Sequence, residues 1–186
     1  KLVFLFLSED AAFAAAKSGQ VDFASVSPTL AGKKIDGMEL VNLKSVDNRG
    51  VSLPFIPNEG KTSNGNAVGN NVTSDIAIRK AMNVGVDRKA LVTSILKGYG
   101  TPAYSIADGL PWWNPDSVIK NDGDIEKAKE ILENAGWKVD EDGVRKKNNI
   151  KAEFTLYYFS SDQTRQSLAI AFADMMKKLG IKIEVK

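Results

Sequence analysis

A run of polar side chains at Ser160, Ser161, Gln163, Thr164 and Arg165 stands where a strand-like stretch gives way to a helical one. The hydroxyls and the amide supply hydrogen bonds, and the guanidinium pairs with carboxylates in a forked geometry. In α/β sheets ligands bind beyond the carboxyl ends of strands, where helix N-termini offer free N–H groups and a positive partial charge. These five residues are therefore candidate ligand contacts, suited to receive a carboxylate. The competing reading is simple helix capping by Ser161 or Asp162. Tyr157 and Tyr158 come just before them, and side chains alternate along a strand. One tyrosine is thus expected in the core and the other, Tyr158, facing a cleft.

A second group lies on the connection over 98–116, which holds three prolines and the pair Trp112–Trp113. A connection this long inside a compact domain is usually functional or packed over a neighbour. Two indoles are suited to form a stacking wall over a ligand. Equally, one covers the core while the other packs the loop. Tyr104 lies on the same connection and is counted with them as a candidate contact. Phe55, further upstream, reads as core.

Other chemistry is excluded by what is missing. The chain has no Cys and no His. A disulfide framework, a thiolate zinc site, a Cys or Ser–His triad and a histidine general base are all ruled out within these residues. No phosphate-binding loop, nucleophile elbow or strand-following dinucleotide fingerprint is present. The AGKK at 31–34 lacks the upstream glycine of a phosphate loop. The DEDG at 140–143 lacks the ligand spacing of a calcium loop and reads as a turn. The Asn71-Val72-Thr73 triplet is a glycosylation sequon by spelling alone. Acidic residues over 122–133 read as a solvated helix face with lysine partners. No carboxylate pair stands out as an acid–base couple, so the chain is expected to be no enzyme and to hold neither metal nor cofactor.

Composition narrows the class. Of 186 residues, 43% are hydrophobic and 26% charged, which is ordinary for a globular protein. A net charge of +2 gives no reason to expect a nucleic-acid or polybasic membrane partner. No apolar run approaches the ~18 residues of a membrane span. The lack of Cys fits an extracytoplasmic setting. Both ends fall inside strand-like runs, so the chain is expected to be a piece of a longer protein.

The elements that must hold these residues read as α/β. Residues 2–7 form a short apolar strand-like run, followed by a helix capped by Ser8 or Asp10 and stopped at Gly19. Residues 21–26 alternate like a strand, and Pro28 opens a short helical turn. Two extended segments follow at 38–43 and 49–56, the second demoted to an edge or crossover by Pro54. Residues 57–71, rich in Gly and Asn, read as a loop and the best internal boundary. Ser74 or Asp75 then caps a helix running to Val84. Asp87 caps the next, which Gly98 ends, with Val86 and Leu91 at hydrophobic-staple spacing. Residues 124–134 form a helix with Gly136 past its end, and 137–144 a tight Asp-Gly turn. A strand at 152–159 leads into a helix over 162–179, with Leu168, Ala171, Phe172, Met175 and Leu179 on one face. A last strand covers 181–185.

Three stretches in order resemble one family. They are AAFAAAKSGQVDFASVSP at 11–28, SDIAIRKAMNVGVDRKALVTSILKGYGTPAYS at 74–105 and DIEKAKEILENAGWKVDEDGVRKKN at 124–148. With the strand–helix–strand LYYFSSDQTRQSLAIAFADMMKKLGIKIEV behind them, they are similar to the peptide/nickel solute-binding proteins of ABC importers. The resemblance implies an α/β fragment of a two-lobed, periplasmic-binding-protein-like (type II) fold, with mixed sheets flanked by helices. It implies residues 1–56 as the end of a first lobe, 57–73 as a crossover, and 74–186 as the early part of a second lobe. It further implies an extracytoplasmic protein, periplasmic or lipid-anchored, monomeric, that traps an oligopeptide or metal chelate and delivers it to permease subunits. SSDQTR at 160–165 matches a family stretch facing the cleft, which favours contact roles for Ser161, Thr164 and Arg165. The chain departs from the nickel branch in having no His, and RGVSLPFIPNEG at 49–60 departs from the commoner crossover. The alternative is a protein–protein interaction module with an exposed Trp112–Trp113 patch.

Overall fold

Carboxylate and hydroxyl caps begin the helices of this chain, which a computed structural model describes over residues 1–186. The Ser8 hydroxyl accepts the Ala11 N–H at 3.4 Å and opens α1 (Glu9–Lys17). Pro28 opens the single turn α2 (Pro28–Ala31). Asp75 caps α3 (Ile76–Gly85), Asp87 caps α4 (Arg88–Ser94), and Asp124 caps α5 (Ile125–Asn134). Asp162, not Ser161, caps α6 (Gln163–Lys177). Each cap satisfies a backbone N–H that the helix itself leaves without a partner.

The strands are short. β1 (Gly60–Lys61) and β2 (Ala67–Val68) form a small antiparallel hairpin inside the stretch expected to be bare loop. β3 (Lys138–Val139), β4 (Arg145–Lys147) and β5 (Ile150–Lys151) form a three-stranded antiparallel sheet around the expected Asp-Gly turn. β6 (Glu153–Leu156) and β7 (Lys182–Val185) pair in parallel, with α6 as the crossover between them. Glu153 stands opposite Lys182 and Leu156 opposite Val185.

The core sits almost wholly after residue 71. Ile78 and Met82 of α3, Leu132 of α5, Trp137, Ala152, Met176 of α6, Leu179 and Ile181 are buried together. α3 packs on α5, and α6 lies on the β6–β7 pair. Gly85 allows close approach: a Cβ there would meet a Leu179 methyl at 2.9 Å. In residues 1–56 only Ala15, Ala16 and Ser27 are buried. Leu53 reaches over to pack against the core.

A strap over 54–58 is bonded to the start of α3. Thr73, fully buried, donates its hydroxyl to the Pro54 carbonyl at 2.7 Å. The Asn70 N–H donates to the Ile56 carbonyl at 2.9 Å, and the Asn58 N–H to Asn71 Oδ1 at 2.8 Å. Gly69 sits at φ +83° so close that a Cβ would lie 2.1 Å from the Pro57 carbonyl oxygen. Only glycine fits there.

Several sequence expectations are corrected. Residues 2–7 and 21–26 form no strand. A strand requires a partner ladder, and nothing within 1–186 pairs with either segment. The side chains of 2–7 are exposed by 46–97%. Phe55 is exposed rather than core, and neither Tyr157 nor Tyr158 joins the core. On α6, Phe172 and, just past its end, Leu179 are buried as expected and Met175 packs against the core, while Ala169 and Met176 are buried in place of Leu168 and Ala171. Of the expected 152–159 strand, Glu153–Leu156 form the ladder opposite Lys182–Val185. α4 ends at Ser94 rather than Gly98, since Lys97 and Gly98 both adopt positive φ. No helix is long and apolar enough to cross a membrane.

Candidate functional site

Because β6 and β7 run parallel, their carboxyl ends open on the same side, and the Tyr158 N–H extends the pairing to the Lys186 carbonyl at 3.0 Å. The chain then turns through residues 159–161 into α6. This junction gathers Tyr158, Ser160, Ser161, Gln163, Thr164 and Arg165, six of the nine candidates, at one sheet edge and one helix start. Ser160, Ser161 and Gln163 are exposed, and Thr164 is half-buried. The Gln166 amide donates to the Tyr158 hydroxyl at 2.7 Å, which fixes that ring against α6.

The charged members of the junction are already engaged. One Asp162 oxygen accepts the Arg165 N–H at 2.8 Å, and the other pairs with the Arg165 guanidinium at 2.9 Å. The same guanidinium lies 5.6 Å from the centre of the Phe159 ring, a cation–π arrangement. The Arg165 guanidinium is thus paired within the chain, though its side chain stays 40% exposed. Glu9 of α1 faces this corner. Burial first, then the Asp162 and Asp10 charges, pushes its carboxyl above the ordinary glutamate value. Its Oε2 is buried without a hydrogen-bond partner.

The other three candidates, Tyr104, Trp112 and Trp113, lie apart on the connection after α4. Arg88 holds the base of this connection. Its Nε donates to the Ala103 carbonyl at 3.0 Å, its guanidinium bonds Asp122 and Asn83, and it stacks 5.1 Å from the Tyr104 ring centre. Asp108 gathers the next turn, accepting the N–H groups of Tyr104 and Ser105 at 2.7 and 2.8 Å and the Ser105 hydroxyl at 2.6 Å. Desolvation works against its charge, but these hydrogen bonds prevail and hold the carboxyl below the usual aspartate value. The buried Trp113 Nε1 has no partner in hydrogen-bond geometry, though its N–H dipole helps keep Asp108 ionised. Trp112 is 73% exposed and Trp113 half-buried. Neither enters the core, and no hydrogen bond joins this connection to the α6 junction. Asn48 does reach it, donating to the Ser105 carbonyl at 2.9 Å.

An open groove of about 300 Å³ lies elsewhere, lined by Pro57, Asn71, Asp75, Trp137, Lys147 and Ile150. Its charges satisfy one another. Asp75 accepts the Ala77 N–H, the Trp137 indole N–H at 3.0 Å and the Lys147 ammonium at 2.8 Å. Burial opposes the Asp75 charge, but the bonds from Lys147, Ala77 and Trp137 outweigh it and lower the pKa. The folded carboxyl thus takes up a proton less readily than the unfolded one. Its stabilisation is complete above the unfolded value and is lost as pH falls through the lower folded value. Urea unfolding from pH 6 down to pH 3 is expected to show this acid loss, and Asp75→Asn to flatten it. An unchanged pH slope in that variant would count against the assignment.

Sequence reasoning passed over the roles of Arg88, Glu9 and Arg145, and it read Asp75 only as one of two caps for α3, without its bonds to Trp137 and Lys147. Arg88 follows the Asp87 cap, but its partners Ala103 and Asp122 lie 15 and 34 residues away, beyond any local pattern. Glu9 and Asp162 lie too far apart in sequence for any local pattern to join them.

Comparison with known proteins decides the class. All of residues 1–186 match the profile of bacterial extracellular solute-binding proteins, family 5, middle region. The chain belongs to this family. Among its family 5 relatives, Protein XP55 of Streptomyces lividans is 38% identical over 173 residues, covering 91% of this chain and 29% of the relative. The oligopeptide-binding protein AppA of Bacillus subtilis is 29% identical over 180 residues, covering 95% of this chain and 31% of AppA. The crystal structure of NikZ from Campylobacter jejuni in complex with Ni(L-His) superposes with a TM-score of 0.81 at 25% identity, covering 96% of this chain and 34% of NikZ. The family 5 chain thus spans about a third of the length of the relatives it matches. Its α/β architecture is part of the type II binding-protein fold that these structures share.

Proposed function

We propose that this chain is part of the extracytoplasmic solute-binding component of an ABC importer. The parent protein captures an oligopeptide or a nickel or other metal chelate in an interlobe cleft and hands it to permease subunits. It acts as a non-enzymatic monomer, in the periplasm or as a lipoprotein at the outer face of the cell membrane. Residues 1–56 form the end of the first lobe, 57–73 the crossover and 74–186 the early part of the second lobe. The observation that carries this reading is the match over 96% of the chain to NikZ, solved in complex with Ni(L-His), together with the similarity to AppA, an oligopeptide-binding protein.

In this reading the α6 junction supplies polar contacts from Ser160, Ser161, Gln163 and Thr164, whose side chains make no hydrogen bonds within the chain and stand ready for a solute. Arg165 and Tyr158 shape the junction. Tyr104, Trp112 and Trp113 supply apolar cover from a connection that Arg88 and Asp108 hold in place. Capture works by closure around the ligand and recognition of the closed form.

Calorimetry on the parent protein tests this, with Ni(L-His) and a set of oligopeptides as probes. Thr164→Ala and Ser161→Ala are each expected to weaken binding about three- to tenfold, the worth of one hydrogen bond at ~1 kcal/mol. Binding by the 186-residue chain alone is expected to be much weaker than by the parent. Micromolar binding by the chain alone, or unchanged affinity in both variants, would overturn the reading.

A further inference from the structure

We propose that Asn64 is a self-modification site, where the chain converts its own asparagine to aspartate or isoaspartate. The chemistry needs an asparagine amide, a following backbone nitrogen that nothing crowds, and room for the two to meet. The Gly65 nitrogen attacks the Asn64 side-chain carbonyl carbon and gives up its proton. The amide C–N bond breaks, and ammonia leaves. Water then opens the resulting five-membered succinimide at one of its two carbonyls. One opening restores the ordinary backbone with an aspartate side chain. The other sends the backbone through the former side chain, as isoaspartate. Water is the only co-reactant. Asn64-Gly65 is the single Asn-Gly pair of the sequence, and glycine lacks the Cβ that otherwise shields this nitrogen.

The fold leaves this pair open and holds its rivals. Asn64 and Gly65 sit at the tip of the β1–β2 hairpin, where every residue from Gly60 to Val68 is exposed. The Asn64 side chain makes no hydrogen bond within the chain. What restrains the pair is the turn. The Gly65 N–H donates to the Thr62 carbonyl at 2.9 Å, the Thr62 N–H to the Asn66 carbonyl at 2.8 Å, and the Asn66 N–H to the Thr62 hydroxyl at 3.2 Å. Behind the turn stand two residue pairs, Gly60 with Val68 and Lys61 with Ala67. A lone two-stranded hairpin is marginal in water, so the turn opens and frees the nitrogen. Other amides are engaged. Asn70 Oδ1 accepts the Val72 and Thr73 N–H groups at 2.8 and 3.0 Å, and Asn71 Oδ1 accepts the Asn58 N–H at 2.8 Å. The residues that follow these two carry a Cβ. Isoaspartate adds a backbone carbon inside the turn, which breaks its register and with it the short ladder. The strap bonds from Thr73, Asn70 and Asn58 lie outside the hairpin, so the core is spared.

The test ages the full 186-residue chain in mildly alkaline buffer and maps its peptides by mass spectrometry, with isoaspartyl methyltransferase to count isoaspartate. Modification at Asn64 is expected to run about tenfold or more faster than at Asn70 or Asn71. It is expected to quicken as pH rises, because the attacking nitrogen must lose its proton. Asn64→Gln keeps an amide but would have to close a six-membered ring, and is expected to abolish the reaction. Asn64→Asp carries the new charge without the extra carbon, and its ¹⁵N spectrum is expected to keep the wild-type hairpin. Aged wild type is expected to shift the amides of 60–68, to leave those of α3, α5 and α6 in place, and to keep its urea midpoint. Wild type that ages no faster at Asn64 than at Asn70 and Asn71 overturns the proposal. Undiminished modification of the same peptide in Asn64→Gln overturns it too. Aged protein whose core amides shift, or whose urea midpoint falls, overturns the confinement to the hairpin. These readouts involve no transported solute, so failure of the calorimetry above would leave them intact.

Discussion

Arg145→Ala is expected to destabilise the chain by about 3–5 kcal/mol, the cost of taking one partner out of a buried charged network. Arg145 is 2% exposed. Its Nε donates to the Leu179 carbonyl and its Nη1 to the Trp137 carbonyl, both at 2.7 Å, while Nη2 reaches Glu133 at 3.2 Å. Two of these acceptors are backbone groups near the end of a helix, where the ladder itself supplies no donor. Alanine would leave both carbonyls buried and unpaired, at about 1–3 kcal/mol each. The stem matters too, since Gly180 lies against it: a Cβ on that glycine would meet Arg145 Cγ at 2.9 Å. Arg145→Lys is expected to recover little, because one ammonium cannot serve three acceptors set in a fork. Glu133→Gln, by contrast, is expected to cost no more than about 1 kcal/mol, because the Glu133 side chain is half exposed and screened. Urea unfolding of the three variants side by side measures this. Equal losses for Arg145→Ala and Glu133→Gln would show that the carbonyl contacts are not what matters.

Trp137→Ala is expected to cost a similar amount, about 3–5 kcal/mol, for a different reason. The indole is 2% exposed and packs among the residues of α3, α5 and α6 that make the core. Removing it empties the largest fully buried side chain of the molecule. It also takes the indole N–H from Asp75, which keeps only its bonds to Lys147 and Ala77. Trp137→Phe separates the two effects. It keeps most of the ring volume and loses the N–H, for an expected loss of about 1–2 kcal/mol. Thermal or urea unfolding followed by far-ultraviolet circular dichroism gives both values. A phenylalanine variant as unstable as the alanine one would place the weight on the hydrogen bond rather than on packing.

These two residues mark the limit of what the sequence disclosed. Helix starts were legible because capping is local: Asp87, with Val86 and Leu91 around it, carries its signature within a few positions. The β6–α6–β7 unit was legible for the same reason, and with it the place of the polar junction. Which residue caps α6 was left open between Ser161 and Asp162, and the choice governs the charge of the whole junction. Trp137 was read as part of a turn and Arg145 was given no role, because their partners lie across the fold. Trp137 meets Asp75 from 62 residues away, and Lys147 meets the same carboxylate from 72 away. Residues 2–7 and 21–26 have strand composition, but a strand is made by its neighbour, and no pattern within a segment says whether that neighbour is present.

The strap over 54–58 has a mechanical consequence. Thr73, Asn70 and Asn71 bind it to the head of α3, Gly69 lets it lie flush, and Leu53, partly buried, packs against the core beside it. A stretch fastened at so many points rides with the body beneath it. Any swing of the preceding residues must therefore pivot upstream of Leu53, and the glycine-rich segment that looks like the natural joint is the welded end.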